Sequence, residues 1–150
     1  MTVTLDTNVL IYAFDERDAV KQAIAKQVLR RIAELGAPLA LQVVGEFQNA
    51  AVKRLKMPAP FAAASGHQFL ATFRTFPYDH LAVERATSSF ATGRLSYWDG
   101  LLIAAAEQVG ITSLISEDMQ DGMHFGRLEI VNPFEGSALS PRARTVLNLV

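Results

Sequence analysis

The sequence predicts an α/β sandwich whose central sheet is short and mainly parallel. Short runs rich in valine, isoleucine, leucine and threonine, such as VTL near the start and ITSLIS at 111–116, recur along the chain. The segments between them place apolar residues three or four positions apart, as amphipathic helices do. Because parallel strands are usually joined by a crossover helix, this alternation favours a sheet covered by helices.

The first half of the chain is predicted to hold two strands and four helices. Asn8 is expected to cap the first helix, and Gly36 is expected to end the second. The predicted elements are, in order, a strand at 1–5, helices at 9–14 and 18–35, a strand at 38–42, and helices at 43–56 and 60–72.

The second half of the chain shows the same alternation of predicted strands and helices. Its predicted elements are a strand at 73–77, helices at 80–92 and 98–109, a buried strand at 111–116 and a last strand at 127–134. The residues after 134 break the pattern. They are expected to form a loose end rather than to dock on this or a neighbouring subunit through Val146, Leu147, Leu149 and Val150.

Composition limits the class of protein. The chain has 150 residues, a hydrophobic share of 50%, a formal net charge of -1 and no cysteine. Its length and apolar content suit one compact domain and argue against disorder. No apolar run approaches the roughly 18 residues of a membrane span, and the N-terminus lacks a secretory signal. The lack of cysteine excludes disulfides and fits a cytoplasmic protein, and the three scattered histidines offer no zinc-binding pair.

Four carboxylates occupy comparable positions in the predicted elements. Asp6 directly follows the first strand, and Asp118 follows the strand ITSLIS. Glu46 and Asp99 lie in the early turns of two helices, each on or beside an apolar face. In an open parallel sheet, the carboxyl ends of the strands and the N-termini of the following helices meet at one edge. We therefore expect the four carboxylates to lie close together.

Each of these acids, taken alone, has a structural explanation. An aspartate at a strand end or a helix start is usually a turn or cap residue, which stabilises by about 0.5–2 kcal/mol. Four acids with one shared location favour a site instead, because clustered carboxylates repel each other and a divalent cation removes that conflict. Oxygen ligands alone select Mg²⁺ or Mn²⁺. One or two such ions activate water for phosphoryl chemistry.

Four motifs resemble, in order and spacing, those of the PIN-domain nucleases and, within them, the VapC-type toxins of toxin–antitoxin pairs. The motifs are LDTNVLIY at 5–12, VVGEFQNA at 43–50, SYWDGLLIAAA at 96–106 and SEDMQDG at 116–122. The resemblance implies a PIN-like three-layer α/β/α sandwich. It covers residues 1 to about 134, which divides the chain into a PIN-like nuclease domain at 1–134 and a C-terminal tail at 135–150.

The resemblance also implies roles for individual residues. It implies that a catalytic, metal-binding quartet is formed by Asp6, Glu46, Asp99 and Asp118. It assigns Thr7 and Asn8 to hydrogen bonds around the first acid, and Ser96 to a similar supporting part before the third. Glu117 and Asp121 are rivals for the place of the fourth acid. Asp118 is preferred because it lies closer to the strand end, which leaves Asp121 an auxiliary role.

By resemblance, the function is that of a Mg²⁺- or Mn²⁺-dependent endoribonuclease, commonly dimeric and inhibited by a small cognate antitoxin. A metal-activated water would cut an RNA phosphodiester bond. Lys53, Arg54 or Arg94 are expected to hold flanking phosphates, a role suggested by their charge alone. Single strands or loops are the expected substrates, because a narrow cleft must reach one phosphate in an accessible backbone.

Three other functions were weighed against this one. A haloacid-dehalogenase phosphatase needs a second aspartate two residues after the first, where this chain has Asn8. A phospho-receiver domain needs a lysine after a late strand, and none follows ITSLIS or LEIV. The third is a catalytically silent PIN-fold module that binds RNA or protein. It stays open, although the presence of all four acids favours the nuclease.

Overall fold

The computed structural model describes residues 2–149 and contains every helix and strand that the sequence predicts, with small shifts at their ends. The strands are β1 (Val3–Leu5), β2 (Leu39–Ala40), β3 (Thr75–Phe76), β4 (Ser113–Ile115), β5 (His124–Phe125), β6 (Leu128–Val131), β7 (Phe134–Glu135) and β8 (Ala138–Leu139). The helices are α1 (Thr7–Phe14), α2 (Ala19–Glu34), α3 (Leu41–Arg54), α4 (Ala59–Thr72), α5 (His80–Ala91), α6 (Tyr97–Gln108) and α7 (Pro141–Val146).

The main sheet is mainly parallel, as predicted. Its strand order is β1-β4-β6-β5, with β1, β4 and β6 parallel and β5 antiparallel at the edge. Leu5 pairs with Ile115, and Ile115 pairs with Val131, so the three parallel strands end level with one another. The residues that follow these strands therefore share one edge of the sheet. A separate two-stranded parallel ladder joins β2 to β3.

The helices bury the faces that their spacing predicts. On α2, the side chains of Ile24, Val28 and Ile32 are buried. The helix ends before Gly36, whose φ of +64° is one that glycine adopts without strain. α1 packs against α2 and α3, and α5 packs against α6. None of the helices in residues 2–149 combines the length and the apolar character that crossing a membrane requires.

The cap predicted for the first helix is wrong. The N-cap of α1 is Asp6, whose side chain accepts a hydrogen bond from the Thr7 amide. Asn8 lies two residues further on, within the first turn of α1, where its side chain is buried rather than capping. Aspartate and asparagine cap helices about equally well, so sequence alone did not separate the two.

The expectation of a loose C-terminal end is also wrong for the residues that the structure describes. Strands β7 and β8 form a hairpin, and α7 then packs into the main core through Ala143, Val146 and Leu147. Arg31 on α2 donates a hydrogen bond of 2.8 Å from Nε to the Leu147 carbonyl. The apolar spacing of this segment is therefore the signature of a docked helix. Val150 lies outside the described residues, and the division of the chain at residue 134 stays a prediction.

Candidate active site

One concave pocket, with a volume of about 310 Å³, is lined by all four predicted acids. It opens at the carboxyl edge of the main sheet, because Asp6 follows β1 and Asp118 lies in the segment after β4. The convergence expected from the topology is therefore present. The other lining residues are Thr7, Asn8, Asn49, Ala50, Lys53 and Arg54.

Asp6 is the most deeply placed of the four acids and is held by three donors. Its side chain is buried. Oδ1 accepts a hydrogen bond of 2.7 Å from the Thr7 amide. Oδ2 accepts bonds of 2.8 Å from the Ser116 hydroxyl and 3.2 Å from Nδ2 of Asn8. These contacts fix the orientation of the carboxylate and leave it little rotational freedom.

The pKa of Asp6 shows how the neighbouring charges act on it. Burial is the main cause that raises this pKa, from 3.8 to about 7. The hydrogen bonds from Ser116 and Thr7 oppose the rise, whereas the negative charges of Asp99 and Asp118 add to it. The charges of Asp99 and Asp118 therefore lie close enough to Asp6 to raise its pKa.

Ser116 is a site residue that the sequence reasoning missed. Besides donating to Asp6, its hydroxyl accepts hydrogen bonds of 3.2 Å from Asn8 Nδ2 and from the Asp118 amide. It directly follows β4 at the level where Asp6 follows β1. The same argument that selected Asp6, a polar residue immediately after a buried strand, would have selected Ser116.

Asn8 completes this buried network from the helix side. While its Nδ2 donates to Asp6 and Ser116, its Oδ1 accepts a hydrogen bond of 3.2 Å from the Glu117 amide. Both ends of the side-chain amide are therefore used, which explains how a buried asparagine is accommodated. Asn8 joins α1 to the segment that carries Asp118.

Glu46 and Asp99 are half-buried and come from α3 and α6. Burial is the main cause that raises the pKa of each carboxyl; the charge of Asp99 adds to the rise at Glu46, and the charge of Asp118 adds to it at Asp99. Oε1 of Glu46 accepts a bond of 2.9 Å from Gln42, a second residue that the sequence reasoning did not assign to the site. Ser96 caps α6 by accepting a bond of 3.2 Å from the Asp99 amide.

The residues of the pocket fit a hard divalent cation. The charges of Asp99 and Asp118 raise the pKa values of other acids in the quartet, and within residues 2–149 none of the four forms an ion pair with a lysine or arginine. Oγ1 of Thr7, which also lines the pocket, is buried without a hydrogen-bond partner. This set offers oxygen donors and an unbalanced negative charge.

The arrangement is nevertheless open. Among residues 2–149, no three acidic, histidine or cysteine side chains are placed so that together they could hold a metal ion as they stand. Mg²⁺ does not require such a cage, because it is commonly bound through one or two carboxylates while water fills its remaining positions. The donor chemistry therefore fits the ion, and water would have to complete its coordination.

Three residues considered for the site lie away from the pocket. Glu117 accepts a hydrogen bond of 2.7 Å from the Tyr12 hydroxyl and pairs with Lys21. Asp121 accepts a bond of 2.7 Å from the Asn132 amide and does not line the pocket. The expectation for Arg94 is wrong, because it lines a different cavity, against the Phe125 ring. Its charge was visible in the sequence, but the direction of its side chain was not.

The fold and the pocket define an α/β protein with an acidic site of the kind that binds divalent cations. The family model described as "PIN domain" matches residues 3–120, which is more than three quarters of the chain. The chain belongs to the PIN-domain family. Searched against curated proteins, the sequence found no match.

Several solved structures share this fold. VapC20 of Mycobacterium tuberculosis, described as a sarcin-ricin loop cleaving toxin, has a TM-score of 0.63 and 18% identity, over 78% of this chain and 90% of its own. A toxin–antitoxin complex from Klebsiella pneumoniae has a TM-score of 0.62 and 22% identity, over 89% and 99% of the two chains. VapBC2 from Rickettsia felis, bound to promoter DNA, has a TM-score of 0.62 and 15% identity, over 87% and 97%. At these identities the likeness is one of fold.

Proposed function

We propose that this protein is a metal-dependent endoribonuclease and the toxin of a VapBC-type toxin–antitoxin pair. The observation that carries the proposal is the convergence of four carboxylates on one pocket in a PIN-domain chain. Proteins of the same fold include a toxin that cleaves the sarcin-ricin loop and several toxin–antitoxin complexes, which supports the same assignment here.

The proposed ligands for Mg²⁺ or Mn²⁺ are Asp6, Glu46, Asp99 and Asp118. The chemistry that such an ion supplies when bound is activation of water and polarisation of the scissile phosphate. Asp6 presents a carboxylate whose orientation is already set by the Thr7 amide, Asn8 and Ser116. Because these donors are in place before substrate arrives, the site needs little reorganisation at the moment of reaction.

Two residues support the other acids in this proposal. Ser96 caps α6 and so fixes the first turn of the helix, from which Asp99 projects. Asp121 ties the segment after β4 to the backbone of Asn132 beyond β6. Its proposed role is to hold the loop that carries Asp118, and it is not itself placed as a ligand.

The proposed substrate is single-stranded or looped RNA. Lys53 and Arg54 line the acidic pocket and are exposed, so they can contact phosphates on either side of the cleaved bond. The chain as a whole carries a formal net charge of -1, so RNA is attracted by these local cations rather than by a general positive field. An unpaired backbone reaches into the pocket more readily than a duplex does.

The proposed protein partners are a small cognate antitoxin and a second copy of the chain. Support for the antitoxin comes from the solved complexes of the same fold. Support for a homodimer comes from apolar side chains left exposed on two helices, namely Val20 on α2 with Leu41 and Val52 on α3.

The test is incubation of the purified protein with total cellular RNA and Mn²⁺, followed by mapping of the cut ends. The matched control is Asp99→Asn, which keeps the size of the side chain and removes its charge. We expect discrete cuts with the wild type and none with the variant. Equal cutting by both proteins would contradict the site, and RNA binding without cutting would favour the catalytically silent module.

A further inference from the structure

A row of aromatic side chains links the end of α5 to the start of α6, the helix that carries Asp99. It consists of Phe90 at the end of α5 and Tyr97 and Trp98 at the start of α6. The ring centroids of Phe90 and Tyr97 lie 6.4 Å apart, and those of Tyr97 and Trp98 lie 5.1 Å apart, both pairs edge to face. Phe90 is 60% exposed and Trp98 is 55% exposed. Tyr97, between them, is half-buried. It packs against the small apolar cluster that α5 and α6 form, which consists of Ala82, Ala86, Leu101 and Ala104.

The backbone of Trp98 is joined to the acidic site through one side chain, that of Gln42. Trp98 is adjacent in sequence to Asp99. Its carbonyl accepts a hydrogen bond of 2.9 Å from Nε2 of Gln42, and the same nitrogen donates a bond of 2.9 Å to Glu46. A single side-chain amide therefore joins the backbone of Trp98 to one of the four acids. The side chain that holds Glu46 therefore also holds the start of α6, where Trp98 lies.

A protein surface that carries both exposed aromatic rings and exposed cationic side chains matches the chemistry of single-stranded nucleic acid. Such strands bind through bases stacked on aromatic faces, together with positive charges that contact the phosphates. The aromatic row supplies the faces, and Lys53 and Arg54 in the pocket supply the charges. A large exposed ring has an unfavourable contact with water that a stacked base removes.

We propose that Trp98, continued by Phe90, is the stacking surface for an unpaired RNA base next to the cleaved phosphate. This inference rests on the proposed ribonuclease function and adds a substrate-binding residue to it. Stacking does not distinguish strongly between bases, since every base has an aromatic face. It does require that the base be free of its partner, so the aromatic row selects unpaired RNA over duplex.

The other candidate occupant of the aromatic row is a second copy of the chain. The exposed parts of Trp98 and Phe90 amount to roughly 200–300 Å², given that an aromatic side chain buries 150–250 Å² when covered completely. A stable interface buries about 800 Å² on each partner. The row alone is too small for that, whereas it matches one or two bases, and the Gln42 link between the Trp98 backbone and Glu46 favours RNA.

The chain contains a built-in probe, because Trp98 is its only tryptophan. Asp6→Asn protein in EDTA is titrated with an unstructured 12-nucleotide RNA while indole fluorescence is recorded. We expect saturable quenching. A blunt duplex of the same sequence should quench far less, and inorganic polyphosphate, which has charge without bases, should leave the indole emission unchanged.

Variants test the same contact without relying on fluorescence of the protein. Binding is measured by anisotropy of a labelled 12-nucleotide RNA, and folding is checked by circular dichroism. Trp98→Ala should weaken binding roughly 5- to 150-fold, the range that loss of one stacked base predicts. Trp98→Phe should retain most of the affinity. Phe61→Ala, which removes a 66% exposed ring on α4, is the matched control and should bind as the parent does.

Several outcomes would overturn the proposal. One is RNA binding that saturates in anisotropy without quenching Trp98, and another is equal quenching by polyphosphate. A third is indole emission that depends on protein concentration in the absence of RNA, which would assign Trp98 to a contact between copies.

The two proposals fail separately. If RNA quenches Trp98 but wild-type protein with Mn²⁺ does not cut, the stacking surface stands and the ribonuclease fails. If the wild type cuts RNA while Trp98→Ala binds as tightly as its parent, the ribonuclease stands and the stacking surface fails.

Discussion

The hydroxyl of Ser116 donates a hydrogen bond of 2.8 Å to Oδ2 of Asp6, which joins the residue after β4 to the residue after β1. Ser116 is fully buried. Because the same hydroxyl accepts a bond from the Asp118 amide, it sets the positions of two acids that come from neighbouring strands. This serine therefore organises the pocket without lining it.

Replacement of Ser116 by alanine should weaken metal binding by about 10- to 100-fold, the usual cost of losing a group that orients a metal ligand. The buried Asp6 carboxylate loses one of its three donors, so its ionised form becomes less favourable. Affinity for Mn²⁺ is measured by titration calorimetry. Ser113→Ala, at a similarly buried position within β4, is the control. Equal Mn²⁺ affinities in both variants would exclude this role for Ser116.

The sequence predicted the elements and the convergence of the acids because both follow from local rules. Helical spacing and strand composition are local properties, and the parallel register then brings the strand ends to one edge. Asp6 and Asp118 could be identified as site residues because a carboxylate directly after a buried strand is costly to bury unless it is paired or binds a ligand. Lys53 was placed correctly near the pocket, whereas Arg94 was not, since charge alone does not give direction.

The parts that sequence did not predict depend on contacts between distant residues. The hydroxyl of Ser116 matters because Asp6, 110 residues away, is its partner. The sequence predicts a cap at Asn8 because the buried contacts of this residue with Ser116 and Glu117 cannot be read from neighbouring residues. The docking of Leu147 similarly depends on a position next to Arg31 that only the folded chain creates.

Without metal, stability should fall as the pH rises from about 4 to about 7. The Asp6 carboxyl has a pKa near 3.8 when unfolded and about 7 when folded. Between these values the folded state holds a proton that the unfolded state has released, so raising the pH favours unfolding. The raised pKa values of Glu46 and Asp99 act in the same direction.

This pH dependence is measured by urea unfolding in EDTA across that range. Asp6→Asn removes the titrating group and should show a clearly flatter profile than the wild type. A wild-type stability that rises over the same interval, or profiles that run in parallel for both proteins, would show that Asp6 does not retain its proton in the folded state.

Millimolar Mn²⁺ or Mg²⁺ should raise the melting temperature, because the ion binds the folded state in preference to the unfolded one. At 100 times the dissociation constant, the gain in unfolding free energy is about 2.7 kcal/mol. Scanning fluorimetry measures the shift. Asp6→Asn and Asp99→Asn should lose it, and Glu16→Gln, which changes an exposed acid away from the pocket, should keep it. No shift in the wild type would argue strongly against the metal site.

Replacement of Leu147 by alanine should destabilise the protein by about 2–5 kcal/mol, the range for a fully buried leucine. Leu147 directly follows α7, so this loss would show that the C-terminal segment belongs to the core. Urea unfolding is the measurement. Leu70→Ala, at a position on α4 that is 48% exposed, should change stability far less. Similar small losses of stability in both variants would show that the C-terminal segment is only loosely attached to the core.

Lys21 contacts the segment that carries Asp118 without lining the pocket. Its Nζ pairs with Glu117 and lies 3.3 Å from the Tyr12 hydroxyl. It also lies 4.7 Å from the centroid of the Tyr12 ring and 5.1 Å from that of Phe134. Since Glu117 directly precedes Asp118, this cluster fixes the backbone from which the fourth acid projects.

Lys21→Met should therefore weaken Mn²⁺ affinity by about 10-fold, through displacement of Asp118. It should cost no more than about 1 kcal/mol of stability, because the ion pair is partly exposed. Lys21→Arg should restore most of the affinity, and Lys26→Met, on the exposed face of the same helix, should leave it unchanged. An affinity loss that Lys26→Met reproduces would reflect general charge rather than positioning. A stability loss without any change in affinity would limit Lys21 to a structural role.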